Sequence, residues 1–153
     1  MKTILISPYS RRLRSGNLNP KDYPYWEELV KLLKIDGWNV IQVGTSGEKV
    51  IGGVNEVLTN LSLGVLEDKL RECDTWISVD NFFQHFAWYH GKKGIAIFGQ
   101  SDPIIFGHNT NINILKHRSY LRQYQFAPWE QCEFKKDAFV LPDVVMGIIN
   151  DLN

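Results

Sequence analysis

Short apolar runs alternate with amphipathic stretches along most of this chain, the pattern of buried strands separated by helices. The first run, Thr3 to Ser7, reads TILIS after a charged start and stops at Pro8, as a short buried strand does. From Pro8 to Pro24 the residues turn to Arg, Ser, Gly, Asn and Pro, which predicts a loop of about a dozen residues or more, longer than packing alone requires. Pro24 suits the first turn of a helix and Glu27 and Glu28 its positive end, while Trp26, Leu29, Val30 and Leu33 recur at helical spacing before Gly37 closes it. Trp38 to Val43 reads as the next strand, and Gly44-Thr45-Ser46-Gly47 as a sharp turn at its carboxyl end.

Val50 to Asn60 fits two states, since Gly52-Gly53 argues against a regular helix while Val54, Val57 and Leu58 permit one. Ser62 can cap a helix in which Leu66, Leu70 and Cys73 share a face, and Trp76 to Val79 follows as a buried strand. Phe82, Phe83, Phe86, Ala87, Trp88 and Tyr89 are apolar on every side, which predicts a mostly buried helix that Gly91 ends. Gly94 to Phe98 reads as a strand, Gly99 to Pro103 as a turn and Ile112 to Leu115 as a short strand, and from Pro142 the residues Val144, Val145, Ile148, Ile149 and Leu152 mark a closing helix. Tyr120 to Phe139, with Trp129 and Cys132, reads as loop packing only. Strands alternating with helices predict a parallel sheet with helices on both faces, because parallel neighbours need crossover connections.

Composition narrows the picture. At 153 residues, 44% hydrophobic and 22% charged, the chain is the size and make-up of one globular domain, taken here as residues 1–153. Lys plus Arg balance Asp plus Glu at 17 each, so no chain-wide field holds nucleic acid or an anionic membrane, and any anion site must be local. No secretory signal opens the sequence and no stretch reaches the roughly 20 apolar residues of a membrane span, which predicts a cytoplasmic protein without an integral membrane segment. Cys73 and Cys132 stand far apart with no CxxC pair, so both are expected to be reduced.

In open parallel sheets, ligands sit outside the carboxyl ends of the strands, where helix amino termini present free N–H groups to anions. Four segments qualify: Pro8 to Lys21, Gly44 to Gly47, Asp80 to His85, and Gly99 to Asp102. The first gathers Arg11, Arg12, Arg14 and Lys21 with no acid before Asp22, which suits a phosphate or, equally, a solvated loop. Asp80 ends a strand and starts a helix, so its carboxylate either caps that helix or holds a ligand hydroxyl. His85, one turn on, either stabilises charge on a bound group or makes an internal bond within the core. With Ser7, Asn81, Gly44, Thr45 and Gly99 at the same strand ends, these residues form the candidate binding set. His90, His108 and His117 fit no metal spacing, so no metal or other cofactor is assigned, and no Walker loop or G-x-S-x-G elbow is present.

The stretch SLGVLEDKLRECDTWISVDNFFQHFAWYHGKKGIAIFGQSDP, Ser62 to Pro103, resembles the nucleotide-sugar-binding half of the ADP-heptose:lipopolysaccharide heptosyltransferases. Asp80, His85 and Ala87 match that family's Asp-(Ser/Thr)-Gly-x-x-His-(apolar)-Ala pattern, and Phe98-Gly99 and Pro103 match the strand and turn that follow it. Looser likeness extends to Tyr25 through Val30, to the Val43-Gly44 turn and to Phe139 through Val145. Asn81 and Phe82 stand where the family has Ser or Thr and Gly.

The resemblance implies a Rossmann-like three-layer domain equivalent to one half of a GT-B glycosyltransferase, binding a nucleotide-diphosphate sugar, an ADP-sugar first among them. It further implies that Asp80 bonds the donor sugar, that the first amides of the next helix meet the diphosphate, and that Lys21 or a neighbouring Arg neutralises it, without a metal. The acceptor-binding half of the family has no counterpart in these 153 residues, so transfer is expected to need a second subunit or a homodimer. The alternative is a non-catalytic nucleotide or nucleotide-sugar binding protein, and a third reading is a scaffold with a vestigial pocket.

Overall fold

The computed structural model describes residues 1–152. Six strands, β1 (Thr3–Ser7), β2 (Asn39–Gly44), β3 (Glu56–Thr59), β4 (Thr75–Val79), β5 (Ile95–Phe98) and β6 (Ile112–Leu115), form one sheet in the order β3-β2-β1-β4-β5-β6. Every neighbouring pair runs parallel. Five α-helices accompany it among the described residues: α1 (Trp26–Ile35), α2 (Leu63–Glu72), α3 (Phe82–Tyr89), α4 (Pro103–Phe106) and α5 (Pro142–Asp151). Among the described residues, no helix is long and apolar enough to cross a membrane.

Alternation along the strands splits the core into two layers, as the period of two requires. Ile4, Ile6, Val40, Ile77, Val79, Ile95 and Ile97 pack against Leu29, Val30 and Leu33 of α1 and Val145, Met146 and Ile149 of α5. Leu5, Ile41, Trp76, Ala96 and Phe98 point the other way, against Leu70 of α2 and Phe83, Phe86 and Ala87 of α3. The result is a three-layer α/β domain of Rossmann type.

The segment that fitted two states contains β3, a half-buried edge strand after a crossover with no helix. Asn55 fixes its start, its side chain accepting from the Val40 amide at 2.9 Å. The predicted turn at 99 to 103 ends in a short helix, α4, whose amino terminus is capped by Asp102 through the Ile104 amide at 2.9 Å. The expectation of a mostly buried α3 is corrected: Phe83, Phe86 and Ala87 face the sheet, but Phe82 is 60% exposed, Trp88 44% and Tyr89 77%. Aromatic residues on the outer face gave that helix the apolar look of a core element without burying it.

Strand order reverses between β1 and β4, so the loops after them diverge and open a crevice at the sheet's carboxyl edge. The long loop after β1 is pinned rather than floppy. The Trp26 indole donates to the Pro8 carbonyl at 3.1 Å, and the Tyr23 hydroxyl donates to the Val140 carbonyl at 2.9 Å.

Candidate functional site

A cleft of about 1080 Å³ occupies this switch point, and the loops after β1, β2, β3 and β4 line it. Its volume lies just above the usual range of roughly 300–1,000 Å³ for small-molecule sites. Of the residues nominated from sequence, Ser7, Arg11, Arg12, Lys21, Gly44, Thr45, Asp80, Asn81 and His85 all line it. Arg14 and Gly99 are not among the lining residues. Gly99 has a packing role: a Cβ there would come within 2.6 Å of the Phe139 ring.

Asp80 lies at the end of β4 with 4% of its surface exposed. Its Oδ1 accepts from the Gln84 side chain at 2.8 Å, one helical turn on. Its Oδ2 meets the Lys21 ammonium at 3.5 Å, and no hydrogen bond reaches that oxygen among the described residues. The capping alternative is settled against Asp80: Asn81 caps α3, its Oδ1 accepting from the Phe83 amide at 3.0 Å. The Asn81 amide group also donates to Ser7 Oγ at 3.0 Å and to the carbonyls of Ser7 and Tyr9. Ser10 Oγ donates to the Asp80 carbonyl at 2.9 Å. These bonds lock the ends of β1 and β4 together beneath the cleft.

Two contributors escaped the sequence reading. Trp129, from the stretch assigned only loop packing, lines the cleft. Its ring lies 5.1 Å from the Lys21 ammonium and 3.4 Å from the Arg122 guanidinium carbon. Arg122 in turn donates to the carbonyls of Gln125, Ala127 and Pro128, folding the segment so that the indole reaches the site. Arg11 adds an ion pair with Glu130 at 3.3 Å. Nothing local in the sequence marks Trp129, because its placement depends on contacts with residues about a hundred positions earlier.

Asp22 is the second. Burial pushes its carboxyl up to about 7, reinforced by Glu48, while the Ser10 amide at 2.7 Å and Lys21 pull the other way. Desolvation therefore wins over the hydrogen bond. A carboxyl half-protonated near neutrality lowers the negative charge of a cleft that also holds Arg11, Arg12, Lys21 and Lys49. Glu48 is folded inward, accepting from the Thr45 amide at 2.7 Å across Gly44, where a Cβ would overlap its carboxylate.

His85 is exposed on the cleft wall rather than a core histidine, and its Nδ1 lies 2.7 Å from Nε2 of His108. Part of the lining is apolar, with Val43, Leu58, Leu61, Leu63 and Leu66. No group of three or more metal-ligating side chains occurs among the described residues. Basic loop, buried acid, helix start and apolar wall together suit an anionic ligand with hydroxyls at one end and a flat apolar part at the other.

Residues 2–128 match glycosyltransferase family 9, the heptosyltransferases. In fold the chain is similar to E. coli ADP-heptose LPS heptosyltransferase II, with a TM-score of 0.72 and 16% identity over 99% of this chain and 46% of that one. It is similar to the family 9 glycosyl transferase of Veillonella parvula DSM 2008, with a TM-score of 0.72 and 16% identity over 99% and 45%. E. coli heptosyltransferase WaaC, solved with ADP, gives a TM-score of 0.65 and 18% identity over 98% and 43%. The chain thus spans less than half the length of these solved structures. No curated protein sequence matches it.

Proposed function

The chain belongs to glycosyltransferase family 9, and from that premise we propose that its cleft binds a nucleotide-diphosphate sugar, an ADP-sugar first, as the donor half of a sugar-transfer enzyme. The observation that carries this reading is Asp80: a buried carboxylate oxygen at the cleft floor, ion-paired with Lys21 yet without a hydrogen bond. Such an acceptor is costly unless a donor reaches it, and a sugar hydroxyl is the donor that the site's geometry and charge favour. Arg11, Arg12 and Lys21 then face the diphosphate, together with the first-turn amides of α3 that Asn81 does not occupy.

In this reading, the bond between the sugar's anomeric carbon and the phosphate oxygen breaks, and the nucleoside diphosphate leaves with added negative charge. Lys21 and the arginines stabilise that charge from fixed positions, which lowers the barrier more than it tightens ground-state binding. The acceptor's hydroxyl oxygen bonds to that carbon as a base takes its proton, and in this reading a partner subunit or another copy of this chain supplies the acceptor site and that base.

Isothermal titration with ADP-, UDP- and GDP-sugars tests the reading. An ADP-sugar is expected to bind, and Asp80→Ala to weaken it about tenfold or more, the size of a lost hydrogen bond to a charged group. Absence of binding by every nucleotide sugar at millimolar concentration refutes it. Tight binding with neither transfer nor slow donor hydrolysis under any pairing assigns the chain to the non-catalytic alternative.

A further inference from the structure

His108 lies outside the nominated set, between α4 and β6, and is held from three directions. The Trp88 indole stacks on it at 4.1 Å with planes 7° apart. Its carbonyl accepts from the Asn111 amide and the Asn113 side chain, both at 3.0 Å. Its Nε2 sits 2.7 Å from Nδ1 of His85 with the rings edge to face. Two ring nitrogens at that separation share one hydrogen, so one donates and the other accepts.

Which one donates follows from the two neutral forms of imidazole. If His85 donates from Nδ1, His108 must accept at Nε2, and both rings then carry their proton on Nδ1, the form an unconstrained imidazole disfavours in water. If His108 donates from Nε2, both rings take the favoured Nε2–H form. Burial and the neighbouring His85 hold His108 below the usual histidine range, which disfavours a charged His108 ring at neutral pH. Between the two neutral arrangements, the second is the cheaper, because it leaves both rings in the favoured form.

We propose that His108 is a positioning residue for His85. By donating Nε2–H to Nδ1 of His85, it fixes that ring with its proton on Nε2, the nitrogen that offers an N–H to a phosphate oxygen of a cleft ligand. Lys21 and the arginines contribute point charges to the same cleft, whereas this pair contributes a directed, uncharged donor. The phosphate role rests on the nucleotide-diphosphate reading above, while the placement of the proton does not.

The test has two arms. In the ligand-free protein, nitrogen-15 NMR is expected to show the shared proton bonded to Nε2 of His108, with a correlation across the hydrogen bond to Nδ1 of His85. A proton found on Nδ1 of His85, or no such correlation, overturns the proposal. In the second arm, His108→Phe keeps a flat ring against Trp88 without the donor, and His108→Gln restores an N–H donor. His108→Phe is expected to weaken ADP about three- to tenfold, leaving adenosine binding unchanged, and His108→Gln to recover most of the loss. Equal losses in both variants, or a matching loss of adenosine affinity, overturn the positioning role. Should the wild-type protein bind no ADP, the nucleotide reading and the phosphate role fall together, and the NMR arm still decides the hydrogen bond by itself.

Discussion

Replacing Lys21 with Met is the most informative single change, because it removes the charge and keeps most of the apolar stem. Breaking a buried ion pair by deleting one partner costs roughly 3–5 kcal/mol, chiefly from the charge left behind. Here three features reduce that figure. The contact is 3.5 Å, the Lys21 side chain is 21% exposed, and Asp80 keeps its 2.8 Å bond from Gln84. A loss of about 1–3 kcal/mol is expected, of which about 0.5–1 kcal/mol reflects the cation over the Trp129 ring. Asp80→Asn keeps an oxygen for Gln84 and removes the buried charge, so the double variant is expected to be more stable than Lys21→Met alone. Urea denaturation of the four proteins at pH 8 closes the cycle, with a coupling of about 1–2 kcal/mol expected. If Lys21→Met lies within about 0.5 kcal/mol of wild type and the two changes add, Asp80 does not depend on that ammonium and the electrostatic account of the cleft floor fails.

Gly99→Ala forces a methyl group against the Phe139 ring, 2.6 Å away in the wild-type geometry, and is expected to cost about 1–3 kcal/mol in thermal or urea unfolding; a neutral result would show that Phe139 moves freely. Asp22 has a folded-state pKa of about 7, raised above its unfolded value near 3.8, so the native state holds a proton that the unfolded chain has released. Its contribution to stability is therefore full below about pH 4, declines as pH rises and is gone above about 7. Relative to wild type, Asp22→Asn, which keeps an acceptor for the Ser10 amide, should gain stability between pH 5 and pH 8; an unchanged difference across that range contradicts the assignment. Trp129→Phe should remove most of the tryptophan fluorescence change on ADP-sugar binding, since the other four tryptophans do not line the cleft; retention of the full change would place the reporter elsewhere.

The parts of this architecture legible in the sequence were those in which local pattern and burial agree. β1, β4, β5 and β6 are short apolar runs between clear breakers, and α1 and α5 carry one apolar stripe each, facing the same core layer. β3 was not legible, because EVLT is half-exposed and its side-chain-to-backbone anchor, Asn55, is a tertiary contact. The cap considered for Asp80 belongs to Asn81, because adjacent residues able to cap cannot be separated by spacing. The cleft's first-loop and strand-end residues followed from the rule that ligands gather at strand carboxyl ends. Trp129 did not, because the Arg122 fold-back turns its segment toward Lys21, a partner far earlier in the chain.

That fold-back ties the cleft to a piece of backbone with almost no regular structure. Arg122 acts as a clasp: three carbonyls and one indole converge on a single guanidinium. Losing it frees the stretch around Trp129 to swing, and the wall beside Lys21 goes with it, while the sheet beneath stays intact. A protease cut between Arg122 and Trp129 should therefore leave a folded protein with a disabled ligand site, separating integrity from activity at one peptide bond.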